Sequence, residues 1–361
     1  MTGAALARPK FRITSGFLIR LFIGIVVLLY VGWRLYNVLV VEQVYGLDSW
    51  ARFAISGVIL GAVYAVIALG YTLVYGILFM INFAHGDVMM LGAFAGYFTL
   101  ETLNGSGFLN RNLVSSVVSI VAAFAVGMVV STVLAILLER IAYRPLRRAP
   151  RLVPLISAIG ASLFLQNVAQ LVFGPARHTY ANPEVMKRNI GWSLMLGDGE
   201  VLITYTGVFT FVLSVLLMIG LYVLVQRTKM GTAMRAVAED KEAAALMGVD
   251  VDRTIGNTFA ISGALAGAAG VMWGLHMGIV YHFVGFVPGL KAFVAAVLGG
   301  IGNIPGAMLG GLALGIMEAL GPAALGIPFQ LKDVLAFSIL VLVLVFRPTG
   351  LLGEVLAEKR A

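Results

Sequence analysis

Cysteine is absent from the 361 residues, and charged side chains make up only 12% of them. The first absence excludes disulfides, thiolate chemistry and cysteine-based metal sites. The second excludes an ordinary soluble domain, in which about a quarter of the residues are charged. The four histidines supply no metal site either, since the nearest pair, His276 and His282, does not have the i, i+4 spacing of helical ligands.

A phosphate-binding loop is also missing. No lysine directly follows a glycine, so the pattern G-x-x-x-x-G-K-[ST] does not occur. The sequence therefore gives the chain no means of hydrolysing ATP. Its net charge of +8 is too diffuse to indicate nucleic acid as a partner.

Long hydrophobic runs are what the sequence does contain. Hydrophobic residues make up 60% of the chain, and the mean hydropathy is +0.98. We therefore predict an all-α polytopic membrane protein. A helix needs roughly 20 apolar residues to cross a bilayer. Segments near this length predict about ten spans, at 17–41, 53–77, 87–101, 113–138, 152–173, 201–225, 255–280, 289–302, 306–320 and 332–347.

Two features of these spans affect their interpretation. The first is predicted to be an uncleaved anchoring helix, because no small-x-small cleavage site follows its apolar run. The spans at 87–101, 289–302 and 306–320 are short or broken. Such segments are tolerated only where protein or a cavity covers the freed backbone.

The distribution of basic residues predicts the orientation. With the N-terminus inside, sixteen of the 25 Lys and Arg residues fall in interior segments and five in exterior loops. The positive-inside rule and the even number of spans both place the two termini in the cytoplasm.

Small residues at four-residue spacing predict close helix packing, which in lipid gains dispersion contacts rather than hydrophobic burial. We assign this role to Gly263, Gly267, Gly302, Gly306 and Gly310. Packing within the chain is the main interpretation, and a subunit interface is the alternative for a few of them. The stretches INFAHGDVMMLGAF and GGIGNIPGAMLGGL both place Asn and glycine breaks in apolar surroundings. Whether they are the paired broken segments of a transporter pathway is left open.

The polar stretch INFAHGD, residues 81–87, is expected near the cytoplasmic ends of the second and third spans. Our first interpretation is that Asp87 caps the third span, where a carboxylate favours the helix N-terminus. A role in the pathway or its gating is the second, and a proton relay through His85 and Asp87 the third. Glu318 is expected to snorkel or to pack with polar groups rather than to bind solute. The pathway or gating candidates are Asn82, Phe83, His85, Gly86, Asp87 and Asn303.

The charged segment 226–254 is predicted to form one or two short helices. Met230, Met234 and Val237 share one helical face, on which we expect a partner to dock. Asp240 is a candidate cap for a second helix, and Gly248 for its end. Within this segment EAAALMG, residues 242–248, reproduces the E-A-A-x-x-x-G head of the motif found in ABC-importer membrane subunits, without its I-x-L-P tail.

Four stretches together resemble one family. They are GYTLVYGILFMINFAHGDVMMLGAF, LISAIGASLFLQN, MRAVAEDKEAAALMGVDVDRTIGNTFAISGALAGAAGV and GLKAFVAAVLGGIGNIPGAMLGG. Over about residues 53–350 they resemble the LivH-type permeases of branched-chain amino-acid ABC importers. The first 50 residues, which carry the extra span, and segment 174–200 depart from that pattern.

The resemblance implies a transport subunit in the bacterial inner membrane, not an enzyme. It implies a bundle at 53–350 with a coupling loop at 226–254, preceded by a tail and anchoring helix at 1–52 and followed by a tail at 351–361. Its expected partners are a second permease, two cytoplasmic ATPases that carry the ATP and Mg, a periplasmic binding protein and the bilayer. No cofactor is expected in this chain. The residues expected to couple to an ATPase are Arg235, Glu239, Asp240, Glu242, Ala243, Ala244 and Gly248.

Alternative functions remain open at this stage. A permease for urea or short amides belongs to the same superfamily. An ion-coupled secondary transporter would need His85 or Asp87 and no ATPase, and a channel or membrane scaffold would be independent of ATP. The E-A-A-x-x-x-G loop favours the importer over the last two.

Overall fold

A computed structural model describes residues 15–147, 149–150, 152–197, 199–347 and 349–353. Most of the two predicted tails, 1–14 and 354–361, lies outside the described residues, as do Arg148 and Arg151.

Each of the ten predicted spans corresponds to a helix in the described ranges. Two further helices, α7 and α8, form the loop between the sixth and seventh spans. In chain order the helices are α1 (Ser15–Tyr36), α2 (Leu47–Leu78), α3 (His85–Gly105), α4 (Leu113–Leu138), α5 (Leu152–Phe173), α6 (Tyr205–Arg227), α7 (Lys229–Glu239), α8 (Lys241–Leu246), α9 (Val251–Met277), α10 (Phe286–Gly299), α11 (Ile304–Leu325) and α12 (Lys332–Phe346).

Eight helical segments of the described chain are long and apolar enough to cross a membrane. The remaining two of the ten are α3 and α10. The prediction of three short spans is wrong for two of them, because α3 has 21 residues and α11 has 22. Both helices continue past the apolar runs that defined the predictions, α3 through Glu101 and α11 through Pro322. Only α10, with 14 residues, is shorter than the roughly 20 residues of a full bilayer-crossing helix.

Irregular helix extends two of these elements. A π-helix, Asn37–Glu42, follows α1, and a π-helix and a 3-10 turn, Glu139–Tyr143 and Arg144–Leu146, follow α4.

Short strands supplement the helical fold. Strands β2 (Gly191–Leu196) and β3 (Gly199–Thr204) form an antiparallel hairpin, and β1 (His178–Thr179) pairs with β4 (Ile279–Val280). The predicted sixth span, 201–225, therefore begins too early. Thr204 ends the hairpin and caps α6, its hydroxyl accepting a hydrogen bond from the Gly207 amide at 3.1 Å.

Helices α2 and α9 form the centre of the bundle. In their most apolar stretches 67% of α2 and 78% of α9 is buried, against 6% for the spans that contain α1 and α12. The peripheral helices expose large apolar side chains, such as Leu28 on α1 and Val334 on α12, as expected of surfaces that face lipid.

Glycines set the contact between α2 and α11. A methyl group added at Gly57 would lie 2.9 Å from the Cα of Ile316, and one at Gly61 would lie 2.9 Å from the Cα of Leu312. The two backbones are therefore close enough that a side chain at either position would collide with the opposite helix.

The predicted packing glycines occupy two other interfaces. Gly263 and Gly267 lie on α9 against α4, where a methyl group at Gly267 would be 2.8 Å from the Cα of Met128. Gly306 and Gly310 lie on α11 against α10, close to Gly299. Gly302 is different, because a methyl group there would meet nothing within 4 Å. It lies in the turn between α10 and α11 with φ +95°, a conformation that favours glycine for its backbone freedom.

Both ends of the described chain are attached to the bundle. Arg34 of α1 donates hydrogen bonds to the carbonyl oxygens of Leu325, at 2.8 Å, and Gly326, at 3.1 Å, at the end of α11. The amides of Leu351 and Leu352 donate to the last carbonyls of α10, at Leu298 and Gly299.

We predict that Gly61→Val destabilises the bundle by about 1–3 kcal/mol, because the branched side chain would be forced against the backbone of α11. The matched control is Gly220→Val on α6, where nothing lies within 4 Å of an added methyl group. The thermal unfolding midpoint of the purified protein in detergent measures both variants. Equal midpoints would contradict the packing of α2 on α11.

Candidate translocation site

The chain turns back into the bundle between α2 and α3. Phe79 ends α2 in the left-handed conformation, at φ +54°, and its amide donates a hydrogen bond to the Tyr75 carbonyl. After a short irregular segment α3 begins at His85, whose amide donates to the Asn82 carbonyl at 3.1 Å. The INFAHGD stretch thus contains this turn and the first helical residues of α3.

The start of α3 lies deep within the bundle. The Val88 carbonyl accepts a hydrogen bond at 3.0 Å from Ser131, which lies near the middle of the 34-residue segment Leu113–Leu146. Asn82, His85 and Asp87 are at most 3% exposed. The stretch is therefore covered by protein. Its expected position near the cytoplasmic ends of two spans stays a prediction, and the hydrogen bond from Tyr143, where the α4 segment ends, to Asn82 agrees with it. The break folds inward, and helices α4, α5, α9 and α10 surround it.

Asp87 does not cap α3 in the predicted way. The N-cap residue is Ala84, which supplies no side-chain bond, and Asp87 lies in the first turn. Its Oδ1 instead accepts a hydrogen bond from the Gln166 amide of α5 at 3.0 Å. A carboxylate in the first turn still interacts favourably with the helix dipole.

Asn82 and His85 contact other helices. The Tyr143 hydroxyl, in the π-helix after α4, donates to Asn82 Oδ1 at 2.6 Å. The His85 ring lies edge-on to Tyr71, and its Nδ1 is 3.4 Å from the Ser262 hydroxyl of α9. Among the described residues no hydrogen bond joins His85 to Asp87, so the geometry does not support a proton relay between them.

The starts of α3 and α10 meet inside the bundle. A methyl group added at Gly86 would lie 2.5 Å from the Gly285 carbonyl oxygen and 3.2 Å from the Cα of Gly289. Beside this contact, the rings of Phe83 and Phe293 lie 5.8 Å apart. Neither helix has a side-chain cap in the described structure. Two partly positive helix ends therefore come together at a glycine contact.

The break that contacts INFAHGD is the segment that leads into α10. A repeat relationship between INFAHGDVMMLGAF and GGIGNIPGAMLGGL is a separate question, and it stays open. Asn303 of the latter caps α11, its Oδ1 accepting from the Gly306 amide at 3.0 Å, while its Nδ2 donates to the Leu352 carbonyl at 2.9 Å. The structure thus gives Asn303 a capping role, apart from the other pathway candidates.

The segment 226–254 forms α7 and α8, as predicted. The Asp240 carboxylate caps α8 by accepting from the amides of Glu242, at 2.8 Å, and Ala243, at 3.0 Å. Gly248 lies just beyond the helix with φ +85°, as expected of a glycine that ends a helix.

The apolar face of α7 is covered by the chain itself, which corrects the expectation of a partner there. Met234 and Val237 are at most 2% exposed. Arg235 turns back, donating hydrogen bonds to the Val225 carbonyl and to Gln226 at the end of α6. This use of its guanidinium differs from the predicted ATPase contact.

The exposed surface of segment 226–254 is formed mainly by α8. Ala244 is buried, whereas Glu242 and Ala243 are exposed, as is Glu239 at the end of α7. Leu246 and Met247 are 89% and 84% exposed. The described structure therefore leaves an apolar pair uncovered within the E-A-A-x-x-x-G motif.

The family model described as "Branched-chain amino acid transport system / permease component" matches residues 53–344. The chain belongs to this family. Two relatives extend the match: permease protein BraD of Pseudomonas aeruginosa, 46% identical over 307 residues, and permease protein LivH of Escherichia coli, 43% identical over 307 residues. Each alignment covers 84% of this permease and 96% of the relative, and both relatives are named for high-affinity branched-chain amino acid transport systems.

A more distant relative shares part of the chain. The xylose transport permease XylH of Escherichia coli is 30% identical over 156 residues, which is 41% of this permease and 39% of the relative. No solved structure matches the permease.

A second polar centre of the permease surrounds Glu318, which packs with polar groups as one of its two predicted roles, although the sequence analysis missed its partner Lys291. Lys291 and Glu318 form an ion pair at 2.8 Å, and both are at most 3% exposed. The sequence shows Lys291 and Glu318 each as a charge within an apolar span. It does not show that they form a pair, because they lie on different helices.

Tyr143→Phe is predicted to destabilise the permease by about 1–3 kcal/mol, because it leaves the buried Asn82 oxygen without its donor. Tyr222→Phe, on a side chain that is 43% exposed on α6, makes the same chemical change and serves as the control. Thermal unfolding in detergent compares them. A Tyr143 variant as stable as the control would show that this bond does not hold the break.

Proposed function

We propose that this chain is a membrane-spanning subunit of an ABC importer that translocates branched-chain amino acids. The observation that carries the proposal is the similarity, at 43–46% identity over 84% of the chain, to permeases named for that transport. The proposed partners are a second homologous permease, two cytoplasmic ATPases and a periplasmic binding protein that delivers the solute.

The division of labour follows from what the chain lacks. Without a glycine–lysine phosphate loop it needs work from another subunit. Helix α8 is the proposed ATPase contact, because Leu246 and Met247 are exposed beyond a buried Ala244. An exposed apolar pair on a short helix suits insertion into a partner's groove.

The proposed path of the coupled motion runs from α8 into α4 and α9. Arg147 forms ion pairs with Glu139, at the end of α4, and with Asp252, in the first turn of α9. Arg144 binds the same Asp252 carboxylate. Helix α8 contacts α9, and burial and the Arg147 guanidinium lower the pKa of Lys241 at the start of α8. A push on α8 would thus move the ends of two spans together.

The proposed location is the bacterial inner membrane, with both termini in the cytoplasm. The basic residues support this orientation, since Arg144, Arg147 and Arg235 all lie at the end of the bundle that carries α7 and α8.

Met247→Ser should weaken co-purification of the ATPase subunits by about tenfold, because it removes an exposed apolar contact. Met195→Ser, on the β2–β3 hairpin at 77% exposure, is the matched control on the opposite side of the bundle. Affinity purification of the tagged permease with its partners measures both variants. Equal recovery of the ATPases would remove α8 as the contact.

In proteoliposomes, uphill leucine uptake should require the second permease, the ATPases, ATP and the binding protein together. Accumulation by this chain alone on a proton or sodium gradient would refute the proposal. Uptake of urea in preference to leucine would assign the substrate to the short amides instead.

A further inference from the structure

Four charged side chains and a tyrosine form a cluster at the end of the bundle opposite α8, which we call the outer cluster. Lys291 of α10 lies 2.8 Å from Glu318 of α11 and 2.6 Å from Asp333 of α12. Lys332 lies 3.1 Å from the same Glu318 oxygen, and the Tyr64 hydroxyl donates to the other at 2.9 Å. Two cations and two anions balance, so the outer cluster has no net charge.

The two lysines that bind Glu318 differ in accessibility. The side chains of Lys291 and Glu318 are 3% and 1% exposed, whereas that of Lys332 is 46% exposed. Lys291 is therefore a fixed partner in the interior. Lys332 is a flexible partner at the surface, and it can move away from Glu318 without breaking the inner pair.

A cavity of about 230 Å³ opens beside this flexible pair. Glu318 and Lys332 supply its charges, while Phe53, Leu60 and Phe329 supply apolar surface. A second cavity of about 330 Å³ adjoins it and shares two lining residues, one of which is Ser56. The first volume lies just below the usual range of ligand sites, about 300–1,000 Å³, and the second at its small end, which suits a solute no larger than one amino acid.

We propose that this cavity binds a zwitterionic α-amino acid with an apolar side chain. The solute ammonium takes the place of Lys332 at Glu318, the solute carboxylate binds the released Lys332, and its side chain packs on Phe53, Leu60 and Phe329. The inference rests on the proposed function, and it makes Glu318 a solute ligand, contrary to the expectation from sequence.

Charge balance makes this exchange selective. A zwitterion replaces one ion pair by two and leaves the net charge unchanged. An amine without a carboxylate would leave Lys332 unpaired, and an acid without an ammonium would have to compete with Glu318 for the lysine. Neither can form the two ion pairs that the zwitterion makes, with Glu318 and with Lys332.

The cysteine-free chain allows a direct test. Ser56→Cys places a single thiol on the exposed rim of both cavities, and Ser106→Cys places one on an exposed turn after α3. The permease complex with its partner subunits, in nanodiscs without binding protein, is treated with a charged methanethiosulfonate. Leucine should slow labelling of the first thiol and not of the second. Leucinamide and 4-methylpentanoate, which each lack one charge, should protect far less.

Lys332→Gln in the Ser56→Cys background should raise the leucine concentration needed for protection by about tenfold or more. Lys187→Gln is the matched control, because Lys187 is 51% exposed and also paired with a glutamate, Glu184, at 3.2 Å. Lys332 lies at the surface, so its loss should leave the fold intact. Glu318→Gln should abolish protection if the variant folds.

The outcomes separate the two proposals. Leucine uptake by the complete wild-type system without protection at Ser56→Cys would overturn the site and leave the proposed function standing. Equal protection by leucine, leucinamide and 4-methylpentanoate, or protection unchanged by Lys332→Gln, would also overturn the site. A complete system that carries no branched-chain amino acid would refute the proposed function itself.

Discussion

A bilayer offers no water to the backbone groups of an interrupted helix, so protein has to cover every break. This constraint organises the permease. Helices α2 and α9 are the most buried spans, and they supply the surroundings of the break between α2 and α3. His85 packs on α2, and Ser262 of α9 lies beside its ring. The glycine contact between Gly86 and Gly285 then brings the start of α10 against the start of α3. The short α10 can begin inside the bundle because Gly285, Pro288 and Gly289 are buried there.

Local signals in the sequence were sufficient for much of this fold. The apolar runs predicted every span, because about twenty such residues have few other stable states in a chain of this composition. Asp240 and Gly248 were predictable as the two ends of α8, since capping depends on residues only a few positions apart. Helix ends without such caps were less predictable, and α3 extends beyond its apolar run to Gly105.

The features that the sequence did not predict depend on contacts between helices that are distant in the chain. A polar segment that turns into the bundle has the same composition as one that stays at the surface, so the burial of INFAHGD among other helices could not be read from the sequence. The apolar face of α7 was correctly predicted. The identity of the surface that covers it was not, because that surface comes from distant helices. In the same way, Lys291 and Glu318 were visible as charges, but their pairing depends on how α10 packs against α11.

The two polar centres of the permease use different chemistry. Around INFAHGD the partners are amides and hydroxyls, such as Gln166, Ser262 and Tyr143, and they attach the break to three helices. The outer cluster is built from full charges, one of which is accessible. The first arrangement is suited to holding a backbone in place, and the second to exchanging one ionic partner for another.

The guanidinium of Arg34 connects α1 to α11. It donates hydrogen bonds to the final carbonyls of α11, about two turns beyond Glu318. Helix α1 lies before residue 53, where the family match begins. If α11 moved outward, the lipid-exposed α1 would have to move with it, or the two charge-assisted hydrogen bonds would break. Arg34 therefore joins the added N-terminal helix to the end of α11, the helix that carries Glu318 of the outer cluster.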